Sequence, residues 1–294
     1  MDVAQRAGWA LQVAFSRDDV GHTDWHHAAS VLAAAGALAQ TSGLEARALG
    51  QAMELAASRF ARIPRRPALE PVEGEATAEL GELLRFTSAQ LRHGGQATTF
   101  VALTLRAAAL AGRELNTVER TRLTRVVRSV LVVKELDRYL GALREPDPSL
   151  PDDPAQALEQ LEIEAMAQLE GIQPDQIHQG ARTSFVGELI HGVVHAQAVR
   201  TVLELQPDVV RPVVQRLAEQ IHAQRTLVAT RAHQQFDDDA LSLPASLDYL
   251  DVLGQGFDDP EKLQFACAAK AIFARHDRPP EWEPLIARTL AALE

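Results

Sequence analysis

Aromatic residues make up only 5% of the 294-residue chain, and there is a single cysteine, Cys267. So few aromatics leave little of the stacking platform that single-stranded nucleic acid requires. One cysteine cannot close an internal disulfide, which fits a reducing, cytoplasmic setting. No apolar run approaches the roughly 18 residues of a membrane-spanning helix. The opening MDVAQRAGWA has neither a basic start nor an apolar stretch, so no secretory signal is expected. Val/Ile/Thr alternation is nearly absent, which argues against strands. The patterns G-x-x-x-x-G-K-[ST], G-x-S-x-G and CxxC are missing, as is a G-x-G-x-x-G following a strand.

What remains is 46% hydrophobic, mostly Ala, Leu and Val, and 23% charged. That is a globular composition with helical periodicity. The expected fold is all-α: a multi-helix bundle or orthogonal array of about 10–12 helices.

Charge is unevenly spread. Residues 1–150 hold 18 basic and 17 acidic groups, net +1; residues 151–294 hold 11 and 23, net −12. The proline-rich stretch 145–154 lies at the change and reads as a linker between a near-neutral half, 1–144, and an acidic half, 155–294. The two halves could equally form one domain. Nucleic-acid binding is disfavoured, because phosphate contacts need clustered cations.

The longest helical signal is 182–236, two rods joined by a proline turn, and it carries four histidines. The first rod is apolar on both sides, as expected of a central helix touched by several neighbours. Gly187 and Gly192 within it suggest close approach of another backbone. The second starts at Pro207, with Pro212 implying a kink or delayed start. Val213, Leu217 and Ile221 form its apolar stripe.

Each rod contains a Glu-x-x-His element, Glu188–His191 and Glu219–His222. Paired copies of this spacing hold di-metal centres in helical bundles. On the helical wheel Glu219 and His222 lie opposite the apolar stripe, which points them away from the first rod. Glu188, His191 and His195, at i, i+3 and i+7, share a face and are the candidate metal ligands or acid–base groups. His195 falls where the apolar face crosses over, and a buried, neutral, hydrogen-bonded imidazole is the competing structural reading.

Elsewhere, Thr23 suits an N-cap for a helix from Trp25 to about Gln40, with Val31, Ala35 and Leu38 inward. Adjacent His26 and His27 project in different directions, so surface or partner contacts are expected of them. Asn116–Glu119 resembles a capping box. It opens a helix to about Leu143 whose Arg122, Arg125 and Arg128 oppose Leu123, Val127, Val130 and Leu131; this face is a candidate anion or partner site, or simply solvated. Asp153-Pro154 and Asp259-Pro260 are cap-and-proline starts. The former opens the helix carrying Leu158, Leu161, Ile163 and Leu169. Asp237–Asp239 reads as a solvated acidic loop. Cys267, in FACAAKAIF, is expected to be buried with a raised pKa.

The preferred functional expectation is a non-catalytic interaction or regulatory protein that binds a protein partner or itself, with no cofactor. The alternative is a metal-dependent helical-bundle enzyme or small-molecule binder using Glu188, His191 and His195, with iron, manganese or zinc.

Overall fold

The computed structural model describes residues 1–19, 25–65, 80–89, 95–132, 150–172, 184–231, 260–276 and 281–292, and for a few helical residues, Glu188 among them, the backbone alone. Among these are eleven α-helices and no strand. They are α1 (Val3–Ala14), α2 (Trp25–Leu38), α3 (Gly43–Arg62), α4 (Leu80–Thr87), α5 (Gln96–Leu110), α6 (Thr117–Val132), α7 (Pro154–Ala167), α8 (Ser184–Leu205), α9 (Val210–Arg231), α10 (Pro260–Arg275) and α11 (Trp282–Ala292). Short 3-10 turns follow α7 (Gln168–Gly171) and precede α9 (Pro207–Val209). No described helix is long and apolar enough to cross a membrane.

Several starts follow from local chemistry. Asn116 and Glu119 form the reciprocal cap ahead of α6: Glu119 N–H donates to Asn116 Oδ1, and Asn116 N–H to Glu119 Oε2, each at 2.9 Å. Asp153 accepts from Ala155 N–H with Pro154 in the first turn of α7. The second rod of the hairpin has the delayed start, since α-helix begins only at Val210 and Pro212 falls within its first turn. There a missing N–H costs no intrahelical bond.

The central position of α8 is observed: α5, α7, α9 and α10 all pack on it. Leu189, Ile190, Val193, Ala196, Val199 and Val202 are buried around its circumference. A second hub was not expected. α2 packs against α1, α3, α5 and α10. Its run of alanines lets neighbours approach on every side, leaving ten of its fourteen residues buried. One contiguous apolar core draws on helices before and after Pro154. Of the 145–154 stretch, 145–149 lie outside the described residues, as do Thr23 and Asp237–Asp239.

Two expectations need correction. His26 is not a surface residue, because α2 has little free face; its side chain is only 15% exposed and its ring lies against Trp25. Gly192 makes room for a side chain and not for a backbone: an added Cβ would strike the amide of buried Gln224. Among the described residues nothing lies within 4 Å of where a Cβ on Gly187 would be.

Candidate functional site

The first turn of α5 is thrust against the middle of α8. Gly95, with φ of 76°, occupies the left-handed region that lets the chain turn tightly into α5. Having no side chain, it also admits the imidazole of His195, which fills the space a Cβ would take. His195 is fully buried. Its Nδ1 lies 2.7 Å from Gln220 Oε1, an acceptor, so Nδ1 carries the proton. Nε2 then presents a lone pair with no partner among the described residues. Burial drives the His195 pKa down to about 4; the Gln220 bond opposes this in part, and nearby His191 adds to it. The ring is therefore neutral at pH 7, which is the structural form weighed from sequence.

His191, one turn earlier on the same face, belongs to a polar node where α2, α5, α8 and α10 meet. Its Nε2 lies 2.8 Å from Gln96 Nε2 and 3.9 Å from Glu261 Oε1. The same carboxylate oxygen is 3.3 Å from His26 Nδ1. Gln264 donates to the His26 carbonyl, and Ser30 Oγ sits 2.5 Å from the Pro260 carbonyl. These bonds pin the start of α10 onto α2. Between the side chains is a space of about 10 Å³, room for one water or ion. Trp25 Nε1 and Gln96 Oε1, both from residues lining it, are buried without a hydrogen-bond partner among the described residues.

The node was missed in the sequence. Its four contributing helices are far apart in the chain, and Glu261 reads there as a first-turn acid after Pro260. The usable signal was the uniformly apolar α2, in which a histidine has few ways to reach solvent.

Of the three candidate metal ligands, the side chains of His191 and His195 are among the described residues. His191 faces the node and His195 faces Gly95 and Gln220, while the side chain of Glu188 lies outside the described part. Among the described residues no three His, Cys, Asp or Glu side chains are placed to hold a metal ion. On α9, Val213, Leu217 and Ile221 are fully buried. Glu219 accepts from Arg216 at 2.5 and 2.6 Å, and Arg216 also donates to the Ser88 carbonyl. Glu219 and His191 thus belong to separate neighbourhoods.

A third ionisable cluster, also unforeseen, holds the C-terminal helices. Glu162 of α7 is fully buried. Arg200 of α8 donates to both its oxygens at 3.0 and 2.8 Å, Arg275 of α10 donates at 2.7 Å, and His276 Nε2 lies 3.0 Å away. Burial alone would raise the Glu162 pKa. The Arg200 hydrogen bonds, the charges of Arg275 and Arg200 and the His276 contact outweigh it and hold the carboxyl below its usual range.

On α6, Leu123, Val127 and Val130 are fully buried, with Arg122, Arg125 and Arg128 on the half-exposed opposite side. Arg122 is turned in, donating to the Phe15 carbonyl at the end of α1. Cys267 is buried, and burial pushes its pKa up to about 12.

No protein-family model, curated protein or solved structure matches the chain.

Proposed function

We propose that this chain is a non-catalytic helical protein that works by binding a protein partner or a second copy of itself. The observation that supports it is the pairing of the inner ionisable groups. Glu162 with Arg200 and Arg275, and His195 with Gln220, join helices, and Glu219 holds Arg216, which donates to the Ser88 carbonyl just past the end of α4. A group that must hold the fold is poorly placed to exchange protons with a substrate. On the outside, Arg125 and Arg128 stand on the half-exposed face of α6, and residues 151–294 carry a net −12. Opposed charges of this kind steer association. Sedimentation velocity at low and high salt tests the reading, with wild type compared against Arg125→Glu/Arg128→Glu. Salt-sensitive self-association, or a salt-sensitive complex with an acidic protein, that the double variant weakens is expected. A monomer at every salt whose partner binding ignores the variant sinks it.

A second reading, an ion or small-ligand binder beside the central helix, is favoured by the node alone. It rests on His26, His191 and Glu261 bordering a space also lined by Trp25 and Gln96, each with a buried polar atom that has no partner among the described residues.

A further inference from the structure

A groove of about 370 Å³ lies at the opposite end of α5 from the node. This is within the size range of small-molecule sites. Its walls are the start of α4, the end of α5, the turn into α6 and the end of α8. Leu80, Leu105, Ala108, Leu115 and Leu205 make it largely apolar.

Two arginines line the groove and differ in one respect. Arg113 is consumed: it donates to both oxygens of Glu119 at 2.7 and 2.6 Å, and Glu119 is held in turn by the Asn116 cap. That charge is cancelled locally. Arg120, seven residues further along the chain, has its Nε buried and without a partner among the described residues. A buried guanidinium N–H left unsatisfied is costly, and a bound acceptor removes the cost.

The remaining electrostatics do not offset Arg120. Helix ends contribute roughly half a charge each. Here two helix starts, of α4 and α6, and two helix ends, of α5 and α8, line the groove, with partial charges of opposite sign. Glu114 also borders the groove but is exposed, where solvent and salt screen it. The unit charge of Arg120 therefore sets the sign. One arginine with no partner among the described residues matches one carboxylate, whereas phosphate groups generally recruit several donors.

We infer that this groove binds an amphipathic monocarboxylate, with its apolar body against Leu80, Leu105, Ala108, Leu115 and Leu205 and its carboxylate on Arg120. The inference is independent of the partner-binding proposal above.

Titration calorimetry on the full chain tests it, with dodecanoate as probe below its micellar concentration and dodecanol and dodecyl phosphate as controls. One saturable dodecanoate site is expected, weakened about ten- to hundredfold in Arg120→Gln, as for loss of one charge-assisted bond. Dodecanol should bind more weakly and equally to both proteins. Ala109→Trp, at an exposed groove position, should abolish binding of both while circular dichroism confirms the fold; it carries the test if Arg120→Gln fails to fold. The inference is overturned if dodecanoate does not saturate, if Arg120→Gln or Ala109→Trp leaves its affinity unchanged, or if dodecyl phosphate is preferred.

Discussion

The imidazole of His195 sits where a β-carbon on Gly95 would be. Two demands meet at that glycine, a positive φ to enter α5 and an empty face for a buried ring, and only glycine meets both.

Gly95→Ala should therefore destabilise the protein by roughly 2–4 kcal/mol, combining left-handed strain with displacement of a packed side chain. Chemical denaturation measures this. A loss within error of zero would mean that the ring moves aside freely.

His195 should titrate far below an ordinary histidine, with a midpoint near 4, and remain in the Nδ1–H form above it. Its pKa is lower in the folded than in the unfolded chain, so the unfolded chain takes up the proton first as pH falls. The stability it contributes is complete above about 6.5 and is lost as pH drops towards 4, amounting to about 3 kcal/mol. Imidazole ¹⁵N shifts across that range report the site directly. A midpoint near 6.5 would show the ring to be hydrated.

Glu162→Gln should cost about 3–5 kcal/mol, because Arg200 and Arg275 lose the carboxylate that neutralises them. Adding Arg200→Met should restore part of the loss. Since the Glu162 pKa is lowered in the fold, its contribution is present above the unfolded carboxylate value and disappears as pH falls through the folded one. Equal stability of wild type and Glu162→Gln at neutral pH would contradict this role.

Cys267 should resist thiol reagents in the native protein and react stoichiometrically once unfolded, since a buried thiol with a pKa near 12 yields little thiolate. Rapid labelling under native conditions would place it at an accessible site.

What could be read from the sequence was whatever depends on residues close together in the chain. The Asn116–Glu119 cap, the Asp153-Pro154 start, the delayed entry into α9 and the all-round apolar α8 are local patterns. The structure shows each of them. The polar clusters were not legible, because their members lie far apart: Glu162 meets Arg200 across 38 residues and Arg275 across 113. Periodicity marks an inward face but not which neighbour fills it. For this reason His191 and His195 were grouped by spacing, although one faces Gln96 and Glu261 and the other Gly95 and Gln220. The same blindness hid His26, whose burial depends on α10 closing over α2.

The partner-binding proposal requires the imidazoles of α8 to serve the fold. Elemental analysis of the purified protein, beside a His191→Ala/His195→Ala double variant, tests this most directly. The expected result is iron, manganese and zinc well below one per chain in both proteins. Stoichiometric metal in the wild type, lost in a double variant that still folds, would contradict it and make the chain a metalloprotein.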